Sequence, residues 1–365
     1  MNQFAFMIHP LEAGDVSRNI KVAQYIPPHV VESMLPMLPA FKAAETDEIS
    51  SRFNTVRGWF VACPLTSRQM VTLPLEKVQR KIVQAGKLAE RLGARILGLG
   101  AFTSIVGDGG LSLSRTLKIP VTSGNSYTVA TTIAAIKQAA SLMDIDLKRG
   151  EILILGGNGS IGSVCAQILA REANNLTLVG RNVPALEKLA RRLLYETGVC
   201  AKISTDLRKT LPMADVVVAV SSAVEALIQP ADLKPGAIVC DVARPRNVSR
   251  LVAEQRPDVL VIEGGLVEVP GEVNFHVNFG FPPNTCYACM AETIILTLEG
   301  RFECFSLGRE LTVKQVDVIE KLGQKHGFKV AGFRSFERAL SLDEINRIKE
   351  RAKGNNKSAC SNLVV

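Results

Sequence analysis

The feature that most constrains the fold of this chain is a glycine-rich segment, Gly157-Asn158-Gly159-Ser160-Ile161-Gly162, with the spacing G-x-G-x-x-G. A short apolar stretch typical of a β-strand, Glu151–Leu155, precedes it, and apolar residues at helical spacing follow it through residue 171. In that context the spacing predicts a turn that holds the phosphates of a dinucleotide. Gly157 would form the tight turn, Gly159 would let the backbone approach a pyrophosphate, and Gly162 would let the helix pack closely on the strand.

The chain on either side of this segment alternates between predicted strands and helices. Further strands are predicted at residues 176–179, 201–204, 216–220, 237–242 and 259–262, and a helix at residues 184–195. Strand–helix alternation over roughly 120 residues implies parallel strands that are joined by right-handed crossovers. We therefore predict an α/β protein with a Rossmann-type doubly wound parallel sheet.

The end of the second predicted strand indicates which dinucleotide binds. Domains that bind NAD place an acidic residue there to hold the ribose hydroxyls, whereas this chain has Gly180-Arg181-Asn182. A guanidinium group pairs with a 2′-phosphate, which a carboxylate would repel. The sequence thus predicts NADPH as the cofactor, bound by residues 157–162 with Arg181 and Asn182. The alternative is that Arg181 only ends the strand.

Cys289 is the candidate nucleophile. It lies near the start of a predicted helix at residues 287–298, for which Asn284 or Thr285 could provide the N-cap. The positive end of a helix dipole favours thiolate, which is the reactive form of cysteine. A thiol nucleophile and a pyridine nucleotide in one chain suggest that a thioester is converted into an enzyme-bound acyl group and then reduced to an aldehyde. On composition alone, a buried structural cysteine would be favoured.

Two neighbours of Cys289 leave alternatives open. Glu292 falls on the same helical face and could relay a proton or position a water, but its charge would also oppose thiolate formation, and we favour a structural role. Cys286 forms a C-x-x-C pair with Cys289. A zinc site would need two further ligands, which the sequence does not supply at suitable spacing, and a redox pair lacks the usual thioredoxin context. We predict no metal site.

Composition and charge exclude several classes of protein. The longest uncharged run, residues 119–136, is too polar to span a membrane, and the first ten residues lack the features of a secretory signal, so we expect a cytoplasmic protein. The eight cysteines lie scattered in apolar contexts, as reduced thiols do. Basic residues are not interleaved with aromatic ones, which argues against nucleic-acid binding. The net charge of +8 serves solubility or attracts an acidic partner.

We expect the chain to be organised in five segments. They are an N-terminal domain for the substrate (1–124), a connecting helix (125–150), the dinucleotide domain (151–270), C-terminal helices that carry Cys289 (271–353) and a flexible tail (354–365). The first segment contains a predicted helix at 75–92 and a strand at 96–99. The helices predicted at 287–298 and 313–327 have no predicted strand nearby, so we expect them to pack back onto the first domain.

Seven short blocks of sequence follow one another in an order that resembles one family. The blocks are residues 100–106, 122–126, 157–162, 180–182, 289–292, 305–309 and 325–328. Together they resemble the long-chain acyl-(acyl-carrier-protein) reductases of cyanobacteria, which are NADPH-dependent and form fatty aldehydes. The resemblance extends from about residue 75 to about residue 330.

This resemblance implies roles for several residues. Cys289 matches the acyl-accepting cysteine of the family, and the glycine segment matches its NADPH loop. The architecture implied is similar to that of shikimate dehydrogenases, with an N-terminal α/β substrate domain beside the Rossmann domain. The acyl donor would be acyl carrier protein or acyl-coenzyme A, and another enzyme could consume the aldehyde.

Four polar residues of the N-terminal segment are candidate substrate contacts. They are Thr103, Ser104, Ser123 and Asn125. Their side chains could lie near the reacting carbonyl, but turns and helix caps are an equally good explanation. Two other functions stay open: an NADP-dependent dehydrogenase of the quinate/shikimate or amino-acid type that acts on a small polar substrate, and a binding protein that senses NADPH without turnover.

Overall fold

The structure is a computed structural model that describes residues 2–361. Its strands are, in chain order, β1 (Asn2–Ile8), β2 (Phe41–Glu45), β3 (Ile49–Ser50), β4 (Thr55–Ala62), β5 (Leu97–Leu99), β6 (Val121–Thr122), β7 (Glu151–Leu155), β8 (Asn175–Val179), β9 (Lys202–Ser204), β10 (Val216–Ala219), β11 (Ile238–Asp241), β12 (Leu260–Glu263), β13 (Leu266–Glu268), β14 (Thr285–Tyr287), β15 (Lys329–Val330), β16 (Arg334–Ser335) and β17 (Arg338–Ala339).

The α-helices alternate with these strands through much of the chain. They are α1 (Ala13–Asn19), α2 (Pro28–Met34), α3 (Ser67–Thr72), α4 (Leu75–Arg91), α5 (Leu111–Thr116), α6 (Asn125–Leu142), α7 (Ser160–Leu169), α8 (Val183–Thr197), α9 (Leu207–Thr210), α10 (Arg250–Gln255), α11 (Ala288–Leu298), α12 (Val313–His326) and α13 (Leu342–Ser361). Two compact units result. Unit 1 contains the described residues up to Ala130 and Leu266–Ala331, and unit 2 contains Thr131–Gly265 and the described residues from Gly332 onward.

Unit 1 is built on a sheet with the strand order β2-β4-β1-β5-β6. The strands β4, β1, β5 and β6 run parallel, while β2 and β3 pair antiparallel with β4. Both faces of the central strands are covered, which explains why β1 is an almost unbroken apolar run. Ala5 and Met7 face α4, and Phe6 and Gly98 face α11. Neither β1 nor β4 is predicted from the sequence, because these runs carry no alternation of polar and apolar residues.

The segment predicted as 271–353 does not form one group of helices. Residues up to Ala331 belong to unit 1, where α11 packs against β1, β4 and β5, and the chain enters unit 2 from Gly332. The helices also have strand neighbours, since β13 pairs antiparallel with β14 and β15. These strands have two or three residues each, which is too short to show a periodic pattern in the sequence.

Unit 2 is built on a sheet of six parallel strands in the order β12-β11-β10-β7-β8-β9. Numbered within the sheet, this is the order 3-2-1-4-5-6 of doubly wound dinucleotide-binding folds, read from its other edge. The strands β7, β10 and β11 are almost entirely buried, as the apolar segments predict. The predicted Rossmann-type parallel sheet is thereby confirmed.

The predicted flexible tail at 354–365 is wrong for its first part. Residues 354–361 continue helix α13, in which Ile345 and Ala352 are buried and Lys349 pairs with Asp144. Ile345 and Ala352 are seven residues apart and therefore lie on one face of α13. Residues 362–365 lie outside the described part of the chain. Among the helices that the structure describes, none is long and apolar enough to cross a membrane.

Candidate active site

The nucleophile candidate lies at a helix N-terminus in unit 1. Cys289 is the second residue of α11, and Tyr287 is the N-cap. The predicted cap at Asn284 or Thr285 is wrong because Thr285 lies in β14, and Asn284 instead accepts a hydrogen bond from the backbone N–H of Val273. Half-buried Cys289 therefore occupies the first turn, where the helix dipole stabilises negative charge.

Gly124 lies directly on the backbone of Cys289. It has a φ of +75°, and a Cβ atom at this position would overlap Cα and Cβ of Cys289. Only glycine combines this left-handed conformation with so close an approach. The turn between β6 and α6 therefore contacts the candidate nucleophile, and the N-terminal ends of two helices, α6 and α11, meet there. We did not predict a role for Gly124 from the sequence, although it lies inside the block 122–126.

The two cysteines of the C-x-x-C pair have different environments. Cys286 is fully buried, and burial, with a smaller contribution from neighbouring Cys289, raises the pKa of its thiol well above the usual value. A hydrogen bond from the backbone N–H of Ala291 offsets this only in part. Cys286 is consequently a protonated core thiol, and of the pair only Cys289 is placed to react. Among the residues that the structure describes, no group of His, Cys, Asp or Glu is arranged to hold a metal ion.

Glu292 is fully buried one helical turn after Cys289 and joins three segments of unit 1. Its Oε1 accepts hydrogen bonds from the hydroxyls of Thr122 and Ser306. Its Oε2 accepts from the hydroxyl of Ser126 at 2.5 Å and from the backbone N–H of Tyr127 at 2.9 Å. These donors occupy both carboxyl oxygens, and Tyr127 lies in the first turn of α6, so Glu292 caps that helix from another element.

The four predicted substrate residues fall at the carboxyl edge of the unit 1 sheet. Ser123 donates to the backbone carbonyl of Ser306 and accepts from the N–H of Asn125, and both residues flank Gly124. The hydroxyl of Thr103 bonds to the carbonyl of Gly100, and that of Ser104 bonds to the carbonyl of Ala101. The first pair is thus adjacent to Cys289, whereas the hydroxyls of the second pair close their own turn.

His9 supports that turn and was not identified from the sequence. It follows β1, and its Nε2 accepts a hydrogen bond of 3.1 Å from the backbone N–H of Phe102. Its Nδ1 lies 2.9 Å from the carbonyl oxygen of Pro10, which can only accept. Burial lowers the pKa of His9 to about 4. The imidazole is therefore neutral, with its proton on Nδ1.

The dinucleotide candidate site lies in unit 2, in the loop between β7 and α7. The tight turn falls at Gly156, which has a φ of +89°, and not at Gly157 as we predicted. The backbone of Val220 lies 2.8 Å from the position that a Cβ atom on Gly156 would occupy, so only glycine fits there. Gly159 is the N-cap of α7, and Gly162 packs against the carbonyl of Gly156. The bare backbone at the start of α7 suits a pyrophosphate, so the residues fit a dinucleotide.

The end of β8 carries Arg181 and Asn182, both of which the sequence predicts to bind the cofactor. Arg181 is exposed, and Gly180 beside it leaves room for the side chain of Asn158, whose Oδ1 lies 2.5 Å from where a Cβ would stand. Asn182 is the N-cap of α8, and its Oδ1 accepts a hydrogen bond of 3.1 Å from the N–H of Ala185. Asn182 therefore has a structural function at this position, and Arg181 is the cation available to a 2′-phosphate.

Buried charged groups lie at the carboxyl ends of β11 and β12, on the same edge of the unit 2 sheet. Burial raises the pKa of Asp241 to about 6, partly offset by the charge of Arg244 and by hydrogen bonds from the N–H groups of Val248 and Ala243. Glu263 pairs with Arg246 at 2.6 Å. These contacts hold the segment after β11 in place, and the sequence had no signal for them.

Comparison with known proteins supports a dinucleotide site in unit 2. The family model described as shikimate/quinate 5-dehydrogenase matches residues 137–263, which include all six strands of the unit 2 sheet. The match and the strand order agree with the predicted shikimate-dehydrogenase-like fold. They define the class of protein: an oxidoreductase with a Rossmann-type domain for a nicotinamide dinucleotide.

Two relatives match most of this chain. The aminotransferase PigE of a Serratia species is 30% identical over 366 residues, which cover 95% of this chain and 42% of PigE. The long-chain acyl-(acyl-carrier-protein) reductase of Synechococcus elongatus is 27% identical over 335 residues, 87% of this chain and 94% of the relative. The chain thus spans less than half the length of PigE. Among solved structures, quinate dehydrogenase from Corynebacterium glutamicum in complex with NAD matches 71% of this chain and 88% of its own, with 12% identity and a TM-score of 0.37.

Proposed function

We propose that the protein reduces a long-chain acyl thioester to a fatty aldehyde with NADPH, through an acyl group bound to Cys289. The observation that carries this proposal is the placement of Cys289: half-buried, in the first turn of α11, with Gly124 on its backbone. A dehydrogenase of the ordinary kind needs no such thiol, whereas acyl transfer requires a nucleophile. The similarity to the acyl-(acyl-carrier-protein) reductase points to the same substrate class.

The first half of the reaction transfers the acyl group. The thiolate of Cys289 attacks the thioester carbonyl carbon, a new carbon–sulfur bond forms, and the bond to the donor sulfur breaks. The donor leaves as a thiolate and takes up a proton. Backbone N–H groups in the first turn of a helix stabilise negative charge, so the N-terminus of α11 would stabilise the carbonyl oxygen during attack.

The second half reduces the acyl group. NADPH, when bound, would supply a hydride to the acyl carbon; the bond to Cys289 would then break, and the sulfur would leave as thiolate. One thioester, one NADPH and one proton thus give one aldehyde, one thiol and NADP⁺. The glycine loop at residues 156–162 would hold the pyrophosphate and Arg181 the 2′-phosphate.

An aromatic wall beside Cys289 supports an apolar acyl group. Half-buried Phe281 stacks edge-on against Tyr287 with a ring-centroid distance of 4.8 Å, and Phe279 contacts Tyr287 at 6.2 Å. Phe279 in turn packs on buried Phe60 of β4 at 5.5 Å. The rings therefore extend from the unit 1 core to the residue that caps α11. Partly exposed aromatic surface of this kind is typical of sites for apolar ligands.

The alternative function is an NADP-dependent dehydrogenase that acts on a small polar substrate, as quinate/shikimate dehydrogenases do. The family model supports it for residues 137–263, which form the dinucleotide unit and not the cysteine site. Such an enzyme transfers hydride directly and forms no covalent intermediate.

Mass spectrometry separates the two functions. The protein is incubated with palmitoyl-coenzyme A in the absence of NADPH, digested and mapped. We expect an acyl adduct on Cys289 that disappears, with release of aldehyde, when NADPH is added. Absence of an adduct on any cysteine, together with NADP-dependent oxidation of quinate or shikimate, would replace the proposal by the alternative.

A further inference from the structure

We propose that Glu292 is a positioning residue for Cys289, acting through hydrogen bonds that hold the Thr122–Tyr127 segment against the start of α11. This inference rests on the proposed function for its consequence in catalysis, but its structural basis is independent of the substrate. The residue follows Cys289 by one helical turn and is completely buried. A carboxyl group in that position needs several donors to be stable.

The donors come from both sides of the nucleophile. Thr122 and Ser126 precede and follow Gly124, and Tyr127 contributes its backbone N–H. Ser306 arrives from the segment after α11 and also lies 3.2 Å from the hydroxyl of Thr122. Glu292 thus connects the β6–α6 turn to α11 by hydrogen bonds on either side of Gly124, the glycine that contacts Cys289.

The position of the Cys289 side chain depends on these hydrogen bonds. Gly124 contacts the backbone atoms of Cys289 directly, so a shift of the turn moves both the nucleophile and the helix N-terminus beside it. A misplacement of about 1 Å in a catalytic group can lower a rate by about a hundredfold. A negative charge on the same helical face is the competing explanation for any effect of Glu292, so the test must separate hydrogen bonding from charge.

Two substitutions separate hydrogen bonding from charge. Glu292→Gln keeps the shape and an oxygen acceptor for Tyr127, while the hydroxyls of Thr122 and Ser306 can rotate to accept from its amide. Glu292→Met keeps the length and volume but removes every acceptor. The matched control is Thr297→Val on the same helix, because Thr297 is equally buried and its hydroxyl bonds only within α11, to the carbonyl of Thr293.

The first readout is the single-turnover rate of acyl transfer from palmitoyl-coenzyme A to Cys289. We expect Glu292→Met to lower this rate by about tenfold or more, Glu292→Gln to stay within about threefold of wild type, and Thr297→Val to match wild type. Affinity for NADPH, measured separately, should be unchanged in all three. Equal loss in the Gln and Met variants would overturn the proposal, since the carboxylate itself would then be required. A wild-type rate in Glu292→Met would also overturn it.

The second readout does not depend on the proposed function. Iodoacetamide alkylation is followed by peptide mass spectrometry, with the exposed Cys200 and Cys304 as internal references. We expect Cys289 to react several times faster in Glu292→Met than in wild type or Glu292→Gln. Without its hydrogen bonds to Glu292, the β6–α6 turn at Gly124 no longer shields Cys289. If wild type forms no acyl adduct, the proposed function fails, and this ratio still decides the role of Glu292: an unchanged ratio overturns it.

A poorly folded Met variant would not end the test. Ser126→Ala removes one donor to Glu292 and retains its other three hydrogen bonds, whereas Thr122→Val removes another donor together with the contacts of the Thr122 hydroxyl to Ser306 and to the N–H of Gly124. We expect each to give a smaller change in the same direction in both readouts. No change in either readout for both variants would contradict the positioning role.

Discussion

At the scale of single residues, Cys286 and Cys289 form a natural matched pair. They are three positions apart, but one is a core thiol with a raised pKa and the other is half-buried at a helix start. We predict that Cys289→Ala abolishes both covalent acylation and aldehyde formation and leaves NADPH affinity nearly unchanged. Cys286→Ala should retain most activity. Similar losses in the two variants, measured by acyl-adduct mapping and aldehyde release, would favour a redox or metal role for the pair.

Arg181 is the residue that should distinguish NADPH from NADH. It is exposed at the end of β8, where an enzyme specific for NAD carries an acid. We predict that Arg181→Ala weakens NADPH binding by about 1.5–3 kcal/mol, the scale of charge-assisted hydrogen bonds to a phosphate. NADH binding should change little. Dissociation constants for both cofactors test this, with Arg191→Ala on the exposed face of α8 as the control. Equal losses for both cofactors would mean that Arg181 does not bind the 2′-phosphate.

His9 makes the stability of the protein sensitive to acid. Its pKa is about 4 in the folded protein and 6.5 in the absence of burial, so between these values the unfolded chain binds more protons. Acid therefore favours unfolding, and the contribution of His9 to stability is lost as pH falls from 6.5 toward 4. We predict that the free energy of unfolding in urea falls less between pH 7 and pH 5 in His9→Asn than in wild type. His29→Asn, at an exposed position, should keep the wild-type pH dependence.

At the scale of elements, the loop between β13 and β14 should influence acyl-chain selection. Its middle is held by polar contacts, including His276 to Asp47 at 2.9 Å and the N–H of Asn278 to Asn19 at 2.9 Å. Phe281 then lies on Tyr287 as part of the aromatic wall. We predict that Phe281→Ala lowers kcat/KM for palmitoyl-coenzyme A more than for octanoyl-coenzyme A, because less apolar surface meets the longer chain.

Phe53→Ala is a suitable control for that prediction. Phe53 is also an aromatic residue of unit 1, 63% exposed, and packs edge-on against His326 and not on the loop. Phe53→Ala should change kcat/KM for palmitoyl-coenzyme A and for octanoyl-coenzyme A by the same factor. A parallel loss with both chain lengths in Phe281→Ala would assign that residue to folding and not to substrate selection.

The elements of unit 2 could be predicted from the sequence, and many of those in unit 1 could not. Parallel strands such as β7 and β10 are short apolar runs separated by clear helical patterns, so their position follows from local sequence. The helix α4 was predictable in the same way. In contrast, β13 and β14 are defined by pairing with each other across more than fifteen intervening residues, and no local pattern encodes that pairing. Helix α13 was missed because polar residues dominate its surface.

At the scale of the whole molecule, the candidate site was predictable only in part. Cys289 and the glycine loop follow from motifs that carry their own chemical meaning. The contact of Gly124 with Cys289 and the hydrogen bonds of Glu292 to residues 122–127 join segments that are more than 160 residues apart in sequence. Such contacts arise from the tertiary fold. The sequence predicts the tight turn at Gly157 for the same reason: the contact of Val220 that requires glycine at Gly156 comes from a distant segment.

The net charge of +8 leads to a prediction for the acyl donor. Acyl carrier protein and coenzyme A are both anionic, so attraction to a basic protein raises their association rate, and salt screens that attraction. We predict that raising the ionic strength from about 0.05 M to about 0.5 M lowers kcat/KM for acyl carrier protein as donor by several-fold.

The matched control is the same acyl group on N-acetylcysteamine, which is uncharged and should show little salt dependence. Because Cys289, NADPH and the acyl chain are common to both assays, a difference between them isolates recognition of the donor. Equal salt dependence for the two donors would instead locate the effect in NADPH binding or in the fold, and the positive charge would then serve only solubility.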